Sequence, residues 1–205
     1  IVAVDGPAAS GKGTIARAVA ARLGLPHMDT GLLYRAAALN LLTLGLDPES
    51  EFQATRACDL SQIDFDDPDL RSEAVGGMAS RISTCPLVRD SLLDRQRRFP
   101  SQPGGAVLDG RDIGTVIAPH AEAKLFVTAS PEVRAQRRYA ELKRLGLDIH
   151  FAEVLADIRA RDERDRSRAE APLRPADDAL LLDTSEMAIE AAIEAAIAAV
   201  EARRG

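Results

Sequence analysis

Nine residues near the start constrain this chain more than anything else in it. Gly6, Pro7, Ala8, Ala9, Ser10, Gly11, Lys12, Gly13 and Thr14 fit the spacing G-x-x-x-x-G-K. The apolar run Ile1–Asp5 reads as a buried strand directly before them, and a helical pattern with Ile15, Val19 and Leu23 on one face follows. A loop of this kind curls so that successive backbone N–H groups point inward at phosphate oxygens. The helix that follows adds its N-terminal partial charge, and Lys12 adds a full one for the terminal phosphates of a nucleoside triphosphate. The loop therefore predicts nucleotide binding, with Gly6 to Thr14 as the ATP-contacting residues.

Downstream, short apolar runs alternate with amphipathic stretches, the pattern of a parallel α/β sheet. Strands are expected at Ile1–Asp5, Pro26–Asp29, Gly105–Asp109, Lys124–Thr128 and Ala179–Asp183. Gly24 is placed to end the first helix, Ser130 to cap the one opening at Pro131, and Gly146 to end it. Ile189, Ile193, Ile197 and Val200 predict a core-facing stripe on the last helix. The segment 47–86 is different: acidic early, with Asp64, Asp66, Asp67 and Asp69, lacking a long strand, and helix-like from Ser72. It reads as an insertion over the carboxyl edge of the sheet. The expectation is one α/β domain, a P-loop NTPase-type five-stranded parallel sheet with helices on both faces. Its core is 1–46, 87–150 and 170–205, the insertion is 47–86, and a short helical lid lies at 151–169.

Composition narrows the partners. The formal net charge of −6 disfavours nonspecific binding to nucleic acid or an anionic membrane. Against that background Arg159, Arg161, Arg164, Arg166 and Arg168 fall within ten residues, either a local anion site or a helix laced with ion pairs. Arg161, Asp165 and Arg168 are spaced to share one helix face. Cys58 and Cys85 stand in no metal-ligand spacing and are expected to be reduced thiols in a cytoplasmic protein. His27, His120 and His150 are scattered and form no ligand set. No run approaches a membrane span. Gly6 already opens the loop, so no secretory signal is expected; because the chain opens on Ile1, a short N-terminal piece is expected before it.

A second group of polar residues follows the second and third strands, at the sheet edge where ligands sit: Asp29, Thr30, Gly31, Tyr34 and Arg35, then Asp109 through Thr115. Together with Val88 and Arg89, Arg95 to Arg97, the run Arg161 to Arg168, and the Gly-Lys-Gly-Thr end of the loop, these residues resemble bacterial cytidylate (CMP) kinases, nucleoside-monophosphate kinases of the P-loop class. The similarity runs from the loop to the fifth strand, and the block Asp109–Thr115 is its most distinctive part.

The resemblance implies transfer of the γ-phosphoryl group of ATP to CMP, and to dCMP. It assigns catalytic roles to Lys12, Arg111, Arg161 and Arg168. CMP binding falls to Thr30, Arg35, Ser80, Arg89, Asp109, Arg111, Asp112, Arg161 and Asp165. An acidic acceptor at Asp112 suits the exocyclic amine of cytosine, where uracil carries a carbonyl. Asp165 suits ribose hydroxyls. Asp109 at a strand end has the alternative of capping the next turn. Arg137 and Arg138 stand equally between ATP contact and plain surface positions. Magnesium is expected to arrive with ATP, near Thr14, without a direct protein cage. The arginines of the lid are expected to arrive as it closes, and the protein is expected to act as a monomer. The insertion is shortened between Asp59 and Leu70, where many family members carry a small sheet. Two readings compete: another small-molecule kinase on the same scaffold, acting on UMP, AMP or shikimate, and a nucleotide-sensing module without turnover.

Overall fold

A computed structural model describes residues 1–101 and 103–204; Gly205, which ends the expected 170–205 core segment, lies outside them. The chain runs β1 (Val2–Asp5), α1 (Lys12–Leu23), β2 (His27–Asp29), α2 (Thr30–Thr43), α3 (Glu51–Arg56), α4 (Glu73–Ile82) and α5 (Pro86–Arg98). It continues through β3 (Val107–Gly110), β4 (Ala123–Thr128), α6 (Pro131–Arg144), α7 (Phe151–Ser167), β5 (Leu180–Asp183) and α8 (Ile189–Arg204). Short 3-10 turns lie at Pro68–Arg71 and Phe99–Ser101, and a π-helical turn at Ile113–Ile117.

The five strands form one parallel sheet in the order β2-β3-β1-β4-β5. Its middle strand, β1, is the most apolar one, as burial on both faces requires. Val2 and Val4 face a core closed by Ile15 and Val19 of α1 and by Ala192, Ala196 and Val200 of α8. Ala3 faces the other way, with Leu108, Ile113 and Ile117. Helices thus cover both faces. The register pairs Val4 with Asp109 and Asp5 with Gly110, so the carboxyl ends of β1 and β3 finish level. That level edge carries the phosphate loop on one side and the Gly110–Gly114 turn on the other.

Two smaller cores build on this frame. Leu33, Ala37 and Leu41 of α2 pack with Val75 and Ile82 of α4 and with Val88 and Leu92 of α5. Ala135 and Leu142 of α6 pack with Val154 and Ile158 of α7. Ser130 caps α6 by accepting from the Val133 N–H at 3.3 Å, and Ser72 caps α4 by accepting from Val75 at the same distance. Within 47–86 the described elements are α3, the 3-10 turn and α4, with no strand.

One expectation about packing is corrected. Val200 is fully buried as expected, but the residues that share its stripe are Ala192 and Ala196, whereas Ile189 is exposed and Ile193 and Ile197 only flank the core. Ile189, Ile193 and Ile197 repeat every four residues on a strip beside that of Ala192, Ala196 and Val200. α8 lies against α1, and the small alanines let the two helices approach.

Candidate active site

The loop after β1 is shaped by two glycines. At Gly6 a Cβ would sit 2.0 Å from the Val127 carbonyl oxygen, so only glycine lets β1 turn against β4 there. Gly11, with φ of 88°, leads into α1 with no side chain capping the first turn, which leaves that turn open to an anion. Ala9 holds a left-handed conformation, φ 58°, and the loop is braced from behind. Arg137 donates to the Ser10 carbonyl at 3.4 Å and to the Thr184 hydroxyl and carbonyl at 3.0 and 2.7 Å. Bracing the loop is a role outside the two the sequence left open for Arg137, ATP contact and a plain surface position.

Lys12 sits half-buried at the base of this loop. Burial, with the charge of Arg111, lowers its pKa to about 8, against the pull of Asp109, Asp29 and Asp165. A lysine held this way is short of compensating negative charge.

Beside the loop lies a cleft of about 590 Å³, open solvent included. Thr30 and Arg35 of α2 line one wall and Ser80 of α4 another, while Arg89 comes from α5. Arg111 and Asp112 follow β3, and Arg161, Asp165 and Arg168 come from α7 and its end. Residues from five separate segments therefore converge in one place. A neighbouring cleft, lined by Ala8, Lys12, Arg35, Arg111, Arg138 and Arg161 among others, joins it to the loop.

The charges within the cleft are partly paired. Arg89 meets Asp112 at 2.5 Å with both side chains buried. Arg111 donates from Nε to Asp165 at 2.7 Å. Burial works to raise the Asp165 pKa, but Arg111, Arg168 and Lys12 outweigh it and hold the carboxyl below its usual range. Arg35 donates to the carbonyls of Leu70 and Ser72 at 2.8 and 3.4 Å. Burial and the nearby Arg161 and Arg138 lower its pKa to about 10.

Arg168 is the least satisfied of these arginines, ahead of Arg161, whose Nε also lacks a hydrogen bond though it lies 2.7 Å from Asp157. Arg168 is 8% exposed, and its Nε and Nη2 have no hydrogen-bond partner. Burial lowers its pKa. Gly76 of α4 gives Arg35 and Arg161 their room, since a Cβ there would lie 2.9 and 3.1 Å from their guanidinium nitrogens.

Asp109 is set apart from the others. It is 2% exposed and does not line the cleft. One carboxylate oxygen lies 2.6 Å from His27 Nε2. The other lies 3.7 Å from where a Cβ on Gly13 would be, on the phosphate-loop side. Its carbonyl accepts from the Thr30 hydroxyl at 2.9 Å.

Several side chains that build the site carry no motif of their own. Asp5, at the end of β1, accepts from the N–H groups of Ile113 and Gly114, both at 2.7 Å, and so fixes the turn that presents Arg111 and Asp112. Glu73 pairs with Arg138 and lies 3.5 Å from Arg161, linking α4 to α6 and α7. Arg164 donates to the Ser80 hydroxyl at 3.1 Å. Asp5 had a sequence signal in its place at a strand end directly before the loop, and Arg164 in the arginine run of α7, but neither signal named the partner.

Among the described residues no group of three or more His, Cys, Asp and Glu could hold a metal ion, and no helix is long and apolar enough to cross a membrane.

Known proteins match this arrangement in sequence and in fold. A solved protein from Eubacterium ventriosum, described as uncharacterized, covers 98% of this chain and 97% of its own with a TM-score of 0.55 at 13% identity. TT1252 from Thermus thermophilus covers 100% and 97% with a TM-score of 0.50 at 23% identity. Both likenesses speak to the fold. In sequence, a cytidylate kinase from Xanthobacter autotrophicus is 58% identical over 206 residues, covering 100% of this chain and 98% of its own. One from Methylocella silvestris is 56% identical, with 98% and 94% covered. The family model described as cytidylate kinase matches residues 2–202, and the chain belongs to the cytidylate kinase family.

Proposed function

We propose that this protein transfers the γ-phosphoryl group of ATP to CMP and dCMP, with ATP on the phosphate loop and the acceptor in the arginine-lined cleft. The observation that carries this is Arg168, buried in that cleft with two guanidinium N–H groups unpartnered. A buried cation in that state calls for an anion. A nucleotide phosphate beside Arg35, Arg89, Arg111 and Arg161 supplies it.

Phosphoryl transfer asks a protein for alignment, exclusion of water and stabilisation of charge. Lys12 and the loop N–H groups hold the donor phosphates. Arg35 and Arg111 orient the acceptor phosphate, which is already an anionic nucleophile, so no general base is assigned. Arg161 and Arg168 neutralise charge on the group in flight. Ser80 and Asp112 read the cytosine edge, with the second oxygen of Asp112 free of Arg89. Asp165 takes the ribose hydroxyls, and Thr30, lining the cleft at the start of α2, helps Arg35 hold the acceptor monophosphate.

The residues present fit magnesium arriving with ATP: the Asp109 oxygen turned away from His27 lies on the loop side near Gly13, and Thr14 follows, without a closed cage. The ion would supply charge neutralisation at the donor phosphates.

Residues 47–86 act as the acceptor-side insertion and 151–169 as the lid, and the two close on each other over the bound pair to keep water out. The protein works as a monomer in the cytoplasm, without nucleic acid or membrane.

The test is an ATP-to-ADP assay with CMP, dCMP, UMP, AMP or no acceptor. Turnover is expected with CMP and dCMP and little with UMP. Turnover that ignores the acceptor would discard this reading.

A further inference from the structure

Arg134 lies outside both nucleotide clefts, yet it is among the most deeply buried side chains, at 1% exposure. Its Nε donates to the Ala129 carbonyl, where β4 ends, at 2.8 Å. Nη1 donates to the Ala8 carbonyl in the phosphate loop at 3.1 Å and to Asp162 Oδ1 at 2.8 Å. Nη2 donates to Asp162 Oδ2 at 2.5 Å. Asp162 is 4% exposed and stands on α7, next to Arg161 and three residues before Asp165. One planar guanidinium therefore touches the sheet, the donor loop and the helix that carries the acceptor-site charges.

The mechanics follow from the burial. A bidentate pair without access to water does not stretch or slide, because any displacement leaves a buried charge uncompensated. The contacts α7 makes on its other side are softer. Arg161 to Glu73 is 3.5 Å, Glu73 is about one-third exposed, and Arg164 reaches Ser80 by a single bond. When the clefts close, movement belongs at these α7–α4 contacts, while α7 keeps its distance from the phosphate loop.

We propose that Arg134 is a positioning residue that couples the two nucleotide sites: through Ala8 and Asp162 it fixes the α7 arginines to the phosphate loop, so that occupancy of the ATP side prepares the acceptor side. This rests on the two-site reading above. It also changes the picture of the lid, whose arginines are held in place beforehand and receive α4, and do not swing in from solvent.

CMP binding is measured by calorimetry with and without a non-hydrolysable ATP analogue and magnesium. The wild-type protein is expected to bind CMP about fivefold or more tightly with the analogue present, the lower end of ordinary coupling between sites. The double variant Arg134→Met with Asp162→Leu removes the pair without stranding either charge, a replacement that buried pairs commonly tolerate. It is expected to bind CMP alone as the wild type does and to lose the tightening. Arg134→Lys keeps the charge but not the fork, and is expected to reduce the tightening in a folded protein.

Unchanged tightening in either folded variant would overturn the proposal. Hydrogen exchange on the wild type needs no variant: the analogue alone is expected to slow exchange in residues 158–168, and no slowing there would also overturn it. If the wild type binds ATP but not CMP, the two-site reading falls first and this inference with it.

Discussion

His27 and Asp109 tie the edge strand β2 to the end of β3, beside the phosphate loop, with Nε2 and Oδ1 2.6 Å apart. β2 and β3 run parallel with His27 beside Val107 and Asp29 beside Asp109. The imidazole therefore reaches diagonally over the sheet edge to the buried carboxylate, whose second oxygen is left to face Gly13.

If that contact sets the orientation of Asp109, a donor at position 27 is what matters. His27→Leu is expected to lower kcat by about tenfold, the size of one hydrogen bond to a buried charge, with the KM for CMP changed less. His27→Gln, which can still donate, is expected to recover most of the loss. Steady-state kinetics on the two variants checks this. Equal impairment in both would mean that ring packing matters and the hydrogen bond does not.

The half-buried, desolvated Lys12 sets function against stability. Its pKa is about 8 in the folded protein against 10.5 for a free lysine. Between those values the unfolded chain binds more protons, so this group makes the protein more stable as pH rises, and below pH 8 its charge costs stability. Lys12→Met is expected to abolish turnover while raising stability at pH 7 by about 1–3 kcal/mol. Thermal melts at pH 7 check this, and the gain is expected to shrink as the pH is raised from 8 towards 10.

Asp5 carries a related cost with the opposite charge. Burial raises its pKa from 3.8 to about 6, against the two backbone N–H donors. A raised carboxyl pKa gives stability that is present below pH 3.8 and lost as pH rises through 6. Asp5→Asn is expected to gain relative to the wild type by up to about 3 kcal/mol between pH 4 and pH 7. The amide cannot accept from both Ile113 and Gly114, so a fixed penalty sits beneath that trend. Denaturant unfolding of both proteins at four pH values separates the constant part from the slope.

The sheet was legible because its strands are short apolar runs with a local cause for each end; β1 is bounded by Gly6, and α6 by Ser130 and Pro131. The residues converging on the cleft were legible as a set through their resemblance to a family, down to Arg168. What could not be read were partners distant in sequence. Arg134 is hidden because its burial depends on Asp162, 28 positions away. Glu73 stands in a stretch that resembles the family, but its partners Arg138 and Arg161 appear only when α4, α6 and α7 come together around it. Asp109 stands three residues before Asp112 in the sequence, yet β3 ends between them: Asp109 turns to His27 and the phosphate-loop side, and Asp112 to Arg89 in the cleft.

Asp112 is expected to set the choice of base. Its carboxylate accepts from Arg89 on one oxygen, which leaves the other for the cytosine amine. Asp112→Asn keeps the shape but offers a donor in place of an acceptor. The ratio of kcat/KM for CMP over UMP is expected to fall by about tenfold or more, within the ~1–3 kcal/mol that a well-placed base contact discriminates. Kinetics with both monophosphates checks it, and a fall in CMP activity with the ratio unchanged would assign Asp112 to holding Arg89 instead.

Arg168 gives the sharpest separation of activity from folding. Its Nε and Nη2 are unpartnered in the protein itself, and burial already lowers its pKa. Removing it takes away a desolvated charge and few protein contacts, so Arg168→Ala is expected to leave the melting temperature within a few degrees of the wild type. Turnover is expected to fall by about 100-fold or more, the scale set by losing one donor aimed at developing charge. Arg161 differs, because it is tied to Asp157 at 2.7 Å and to Glu73 at 3.5 Å. Arg161→Ala is therefore expected to cost some stability as well as turnover. Melting curves and steady-state rates on the two variants check this together, and loss of melting temperature and activity in proportion for Arg168→Ala would make it a structural residue.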